Sequence, residues 1–266
     1  MSIQLPIFDS LTHPTLTGRW LNSEHEATFD ALIGQMAANQ IKWTCAVGLD
    51  GIENYEHREF MARCREQPEL IPVAGFNPET CRSIGDEIAN LKEMGFRAVK
   101  LHPRLSNLSL SRPEAIIATL TAAHSAGMPV FLCTYQYAPA EKFSGEDQLL
   151  SLARIIAAVP DARVVLMHGG TVEVLRYSEF ARSNPNVVID LSYTLQRYEG
   201  SSVDLDIAYL FRVFDRRLCI GSDFPEFSLA TLRRRFEHFA RQTTPEKAEN
   251  IAYRNLLRVF ELDRSS

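Results

Sequence analysis

The chain has 266 residues, with 28 Lys+Arg against 33 Asp+Glu and a formal net charge of −5. Hydrophobic residues make up 45% and charged residues 23%, the balance of a soluble globular protein, and the mild acidity argues against a nucleic-acid binder, which needs a basic face. Five cysteines with no CxxC pair argue against a disulfide framework and fit a reducing, cytoplasmic compartment. The first residues form no basic, apolar leader, and no stretch approaches the ~18 apolar residues of a membrane span.

Short apolar runs alternate with amphipathic stretches. Residues 4–8 come first, then a helical pattern over 24–39 with Phe29, Leu32, Ile33 and Met36 on one face. A run over 43–47 precedes a helix over 55–66. A run over 70–76 precedes one over 83–94, where Ile84, Ile88 and Leu91 repeat at helical spacing. The run 98–101 leads to a helix over 113–126, with Ser111 and Glu114 as a capping box. The remaining pairs are 129–132 with 147–159, 163–167 with 172–182, 187–189 with 203–214, and 218–220 with 228–241. A last helix spans 245–260. Gly95 and Gly127 each follow a helix, where a left-handed cap favours glycine.

The eight strand starts are separated by 39, 27, 28, 31, 34, 24 and 31 residues, which suits βα units. The strands are continuously apolar, as in a parallel sheet covered on both faces. No linker or charge block divides the chain. The pattern predicts one domain over residues 1–266, an α/β protein with a (β/α)8 TIM barrel and an extra C-terminal helix. The alternative is an open doubly wound sheet. No GxGxxG or Walker loop follows any strand, which weakens a nucleotide-binding reading.

In such a barrel the reactive groups stand at the C-terminal strand ends. Those ends carry Asp9 and His13, Lys100, His102 and Arg104, Cys133 and Tyr135, His168, Asp190 and Tyr193, and Asp223. Period-two alternation puts Asp9, Leu11 and His13 on one side, Lys100 with His102, and Cys133 with Tyr135. Three of seven histidines lie at strand ends, and His25, His57, His124 and His238 fall in predicted helices as surface or packing residues. The bland readings are a hydrogen-bonded structural histidine at each end, a turn-forming Asp223, a salt-bridged Lys100, a small buried Cys133 and a surface Arg104. Convergence of three histidines and an aspartate on one mouth favours a site instead.

These strand ends resemble the amidohydrolase superfamily, and within it the amidohydrolase-related family of metal-dependent hydrolases and decarboxylases. The segments that carry the resemblance are Ile7-Phe-Asp-Ser-Leu-Thr-His13, Gly95-Phe-Arg-Ala-Val-Lys-Leu-His102-Pro, Pro129-Val-Phe-Leu-Cys133, Val164-Val-Leu-Met-His168-Gly-Gly, Ile220-Gly-Ser-Asp223-Phe-Pro and Asn255-Leu-Leu-Arg-Val-Phe. The family's first strand supplies two metal histidines, and the first of them is Leu11 here. Its fifth strand supplies a third, and here that position is Cys133. The resemblance leaves His13, Cys133 and Asp223 as a metal set, with a catalytic zinc needing about three protein ligands. An apolar neighbour such as Leu11 is expected to raise the Cys133 thiol pKa. No tightly bound cofactor is expected, and at most a weak divalent ion such as zinc.

The mechanism implied by the resemblance makes Asp223 the general base, with His168 polarising or protonating the substrate; His102 is a further catalytic candidate, or a replacement metal ligand. Without metal, the drop in water pKa from ~15.7 to ~7 is lost, so an activated ester or lactone is an easier target than an amide. Lys100, Arg104, Tyr135 and Tyr193 are the candidate binding groups, the basic ones for a substrate carboxylate. The leading reading is a hydrolase of a small carboxylated lactone, ester or related C–N bond. The alternatives are a metal-dependent hydrolase or decarboxylase with a rearranged site, a Schiff-base lyase on Lys100, and a non-catalytic barrel. A small molecule is the expected partner, with no nucleic acid and no membrane, and self-association into a homo-oligomer left open.

Overall fold

The structure, a computed structural model, describes residues 5–137 and 147–263. Eight strands pair in parallel in chain order: β1 (Ile7–Thr12), β2 (Ile41–Val47), β3 (Leu70–Gly75), β4 (Ala98–Leu101), β5 (Val130–Cys133), β6 (Val164–Met167), β7 (Val187–Asp190) and β8 (Leu218–Cys219). Backbone bonds bring the last strand onto the first. Ser10 N donates to Ile220 O at 2.9 Å, Asp223 N to Leu11 O at 2.9 Å, and His13 N to Phe224 O at 2.7 Å. The sheet is thereby the predicted TIM barrel. The first strand, expected over residues 4–8, begins at Ile7, and residue 4 lies outside the described residues.

The helices that follow the strands are α1 (Phe29–Ala38), α2 (His57–Arg65), α3 (Ile84–Met94), α4 (Pro103–Ser106), α5 (Glu114–Ser125), α6 (Gln148–Ala158), α7 (Val174–Arg182), α8 (Thr194–Arg197), α9 (Val203–Val213) and α10 (Leu229–Ala240). Six of them start after a residue whose side chain accepts from the first turn. The pattern over 24–39 becomes a helix only from Phe29, because the Thr28 side chain accepts from Ala31 N and fixes the first turn there. His25 therefore precedes the helix. The capping box at Ser111 does not form: Ser111 Oγ pairs with Ser109 Oγ at 2.8 Å, and Pro113 stands at the cap without a side-chain bond. Gly95 does take the left-handed cap, with φ of 107°.

Two apolar layers hold the barrel. Outward residues such as Val99, Leu132, Leu166 and Ile189 pack under the helices. Inward residues such as Phe8, Val73, Phe131 and Val165 fill the lower interior. The C-terminal segment runs through α11 (Pro245–Glu249), a π turn (Asn250–Arg254) and α12 (Asn255–Val259). It closes the base. Leu256, Val259 and Phe260 join the inner cluster, and Phe260 lies 5.8 Å from Phe8 and 5.9 Å from Phe131 between ring centroids. Arg163 Nη1 donates to Val259 O at 2.8 Å and Arg97 Nη2 to Phe260 O at 3.1 Å, so carbonyls left open at the helix end are satisfied.

Strict alternation fails in β1. Its pairing with β2 shifts register between Asp9 and Thr12. Phe8 and Leu11, three residues apart, both enter the inner cluster. Asp9 turns instead to the end of β8, accepting from Ser222 N at 2.9 Å and Ser222 Oγ at 2.6 Å. The shared side expected for Asp9, Leu11 and His13 is thus corrected by a bulge, which changes strand parity locally. No helix among the described residues is long and apolar enough to cross a membrane.

Candidate active site

The C-terminal strand ends surround one cavity of about 190 Å³. Its lining includes His13, Lys100, His102, Arg104, Tyr135, His168, Tyr193 and Asp223. Cys133 does not reach the cavity wall; it lies below, 2% exposed.

His13 follows β1, and its Nδ1 lies 2.8 Å from Val47 O. A carbonyl only accepts, so Nδ1 carries the proton and Nε2 is left with its lone pair. That Nε2 faces Asp223 Oδ1 at 3.6 Å. Burial first, and the charge of Lys100 second, hold the His13 pKa well below its usual value, so the ring is neutral. Trp20 stacks on it at 5.2 Å.

His168 owes its place to an unusual turn. His168, Gly169, Gly170 and Thr171 all have positive φ, so the chain reverses sharply out of β6. Gly170 is required there: a Cβ would stand 2.2 Å from the Tyr177 ring. The buried Asp190 carboxylate holds the turn, accepting from His168 N at 3.2 Å and from the hydroxyls of Ser10 and Ser192. His168 Nδ1 donates to Ser192 O at 3.1 Å, and the ring also hydrogen-bonds the Cys133 thiol.

His102 has the opposite tautomer. Its Nδ1 accepts from Leu105 N at 3.3 Å as the cap of α4, which puts the neutral ring's proton on Nε2. Burial, then Lys100 and Arg104, push its pKa down to about 3. Tyr193 is a second donor. Burial and the neighbouring Tyr135 raise its pKa to about 12, and the rings meet edge-on at 5.4 Å. Arg104 is exposed at the rim, 4.9 Å over the Tyr135 ring.

Asp223 sits just past β8 in a left-handed conformation, φ 61°, its backbone N tied to Leu11 O at 2.9 Å. Burial raises its pKa to about 7; Asp190 and Glu226 add to the rise and Lys100 opposes it. Lys100, the inward residue near the end of β4, is 1% exposed, and its Nζ has no hydrogen-bond partner among the described residues.

Cys133 departs from expectation. Burial works against its thiolate, but the charge and hydrogen bond of His168, with Lys100 and the Tyr135 backbone, bring its pKa below the usual thiol value. An apolar raised thiol is therefore corrected: charged neighbours outweigh the apolar surroundings.

A metal in this site would need three donors around one point, free of competing positive charge. Among the described residues no three His, Cys, Asp or Glu side chains stand together in a way that could hold an ion, His13, Cys133 and Asp223 included. Leu11 enters the apolar cluster, and the Lys100 ammonium lines the same cavity. The donor set does not fit a zinc ion.

The profile of the amidohydrolase family matches residues 49–262. The chain belongs to the amidohydrolase family. The matched span begins after β2 and so leaves out Leu11 and His13. No curated protein matches. Solved structures do. An uncharacterised TIM-barrel protein from Bordetella bronchiseptica has a TM-score of 0.75 at 20% identity, covering 97% of this chain and 99% of the other. A Pseudomonas putida protein assigned provisionally as a 2-pyrone-4,6-dicarboxylic acid hydrolase has 0.73 at 16%, covering 97% and 98%. A 5-carboxyvanillate decarboxylase from Sphingomonas paucimobilis has 0.68 at 14%, covering 97% and 99%. At these identities the likeness is one of fold.

Sequence reasoning missed part of the cavity's lining. Trp20, Leu21, Leu49 and Glu226 also line the cavity, and Trp20 Nε1 donates to Glu226 Oε2 at 3.4 Å. The long segment between β1 and α1, with a tryptophan in it, was the available signal, because loops at this face build barrel sites. Asp190 was visible at the end of β7 but not as the anchor of the His168 turn.

Proposed function

We propose that this amidohydrolase-family protein hydrolyses a small carboxylated lactone or related ester, with no tightly bound metal and with Asp223 as general base. The observation that carries the reading is Asp223 itself. It is a buried carboxylate in the cavity, with a pKa raised to about 7, facing the bare Nε2 of His13 at 3.6 Å. A base is most effective with its pKa near the working pH.

In this reading water gives a proton to Asp223 as its oxygen adds to the ester carbonyl. His13, which keeps its own proton on Nδ1, offers a second acceptor to the same water. The tetrahedral species then expels the ring oxygen, which takes the proton back from Asp223. The balance is lactone plus water to hydroxy acid. His102, with its proton on Nε2, and Tyr193 are donors for the substrate's oxygens. Arg104 at the rim pairs with a substrate carboxylate, and Tyr135, held under its guanidinium, forms the adjoining wall. His168, fixed by its Nδ1 bond to Ser192 O, lines the cavity with these donors. The provisional dicarboxylate hydrolase among the structural relatives and the carboxylated substrate of the decarboxylase are consistent with an acidic small molecule.

The test is turnover of carboxylated lactones by wild type and by Asp223→Asn. Removing a general base costs typically 10²–10⁴-fold, so kcat is expected to fall roughly 10³-fold. Unchanged turnover in that variant, or carbon dioxide release in place of ring opening, overturns the reading.

A further inference from the structure

The cavity contains a feature that the general-base scheme leaves unused. Lys100 Nζ is one of two buried side-chain polar atoms among the described residues without a hydrogen-bond partner. An ammonium withdrawn from water and left unpaired is costly, and such a group persists where a ligand completes it. Its charge acts on His13, His102, Cys133 and Asp223 together. Those side chains come from β1, β4, β5 and β8, so Lys100 is close to the electrostatic centre of the strand ends.

We infer that the Lys100 ammonium is the site's resident cation, occupying the electrostatic place of a metal ion and donating to the substrate carbonyl oxygen as negative charge develops on it. The inference rests on the hydrolase reading for its catalytic half alone.

Depth separates two uses of a cation here. Arg104 is exposed at the rim, within reach of a substrate carboxylate entering from water. Lys100 is buried beside the general base, where the reacting carbonyl has to lie. As water adds to that carbon, the C=O π pair moves to oxygen, and the fixed N–H donors of Lys100 meet it. When the pair returns, the C–O ring bond breaks and the ring oxygen takes its proton from Asp223. Lys100 keeps all its protons and forms no covalent bond. Such preorganised donors aimed at a developing oxyanion supply a large part of catalysis in acyl transfer.

The same arrangement opposes a metal. The bare Nε2 of His13 and the Asp223 carboxylate are acceptors suited to a cation, but a dication among them would sit next to a buried like charge. Removing the charge should therefore create metal affinity.

The probe is zinc, titrated calorimetrically into chelator-dialysed full-length protein. Wild type is expected to show only weak binding. Lys100→Met, nearly isosteric and neutral, is expected to bind zinc at least about tenfold more tightly. Adding Asp223→Asn to Lys100→Met should return the weakness. Retention of about one zinc per chain by dialysed wild type, or equal affinity in wild type and Lys100→Met, overturns the inference. Lys100→Gln serves if the methionine variant does not fold by circular dichroism. On a lactone that wild type turns over, Lys100→Met should lower kcat at least about 10²-fold with little change in KM. Undiminished kcat, or borohydride trapping of a carbonyl compound on Lys100, overturns the electrophile role. If wild type hydrolyses no ester, the general-base reading fails by itself, and the zinc titration still decides whether Lys100 holds the cation's place.

Discussion

The two ends of this barrel are built from the same eight strands and are opposite in chemistry. At the base, Phe8, Phe131 and Phe260 stack in a sealed apolar plug, and nearby arginines bind backbone carbonyls. At the mouth, a buried lysine with no hydrogen-bond partner among the described residues, a carboxyl with a pKa near 7 and three histidines share one cavity. At the mouth His168, Tyr193 and Asp223 take positive φ, as Gln40 and Glu261 do toward the base, a conformation that costs a non-glycine residue roughly 1–3 kcal/mol. The contrast is one of purpose. The base gains stability from burial, and the mouth keeps polar groups buried at a cost in stability.

Cutting the plug is the strongest way to test this division. Phe260→Ala empties the space between Phe8 and Phe131, and a buried Phe→Ala change costs about 3–5 kcal/mol. Denaturant unfolding should show that loss, while KM of the remaining folded protein stays near the wild-type value. A matching loss of substrate affinity would join the two ends that the structure keeps apart.

The second test is pH. For Asp223 to act as base it must be ionised, so kcat/KM should fall about tenfold per unit below pH 7, roughly a hundredfold by pH 5. Lys100, Glu226, Asp190 and the neutral rings of His13 and His102 face or act on this carboxyl. Stability should move the other way. Asp9 and Asp223 both have folded pKa values raised from 3.8 to about 7, so between these values the folded state holds protons that the unfolded chain releases. Stability is full at the acid end of that window and declines as pH rises to about 7. An activity limb near pH 4, the usual carboxylate range, would remove the buried-base account.

The smallest effect belongs to the rim. Arg104→Gln removes an exposed charge that packs over Tyr135, so thermal stability should change little. KM for a carboxylated lactone should rise about tenfold, the worth of one charge-assisted hydrogen bond. An equal rise for an uncharged lactone would mean that Arg104 shapes the wall and does not bind the carboxylate.

The amino-acid sequence by itself determined the alternation of eight βα units, the closing C-terminal helix and the set of strand ends that carry the polar residues. Apolar periodicity and glycine stops are local properties, and they are legible one segment at a time. Its resemblance to a known family also drew attention to Leu11 and Cys133. Tertiary structure alone decided what those residues meet. The bulge in β1 turned Asp9 toward Ser222 and sent Leu11 into the inner cluster, which alternation along one strand does not foresee. The proton positions on His13 and His102 follow from Val47 O and Leu105 N, one of them on a neighbouring strand. Lys100 reads in sequence as a strand-end base, but its isolation depends on eight strands closing around it and excluding water. Burial and partnership are properties of the closed barrel, and the chemistry of this mouth is set by them.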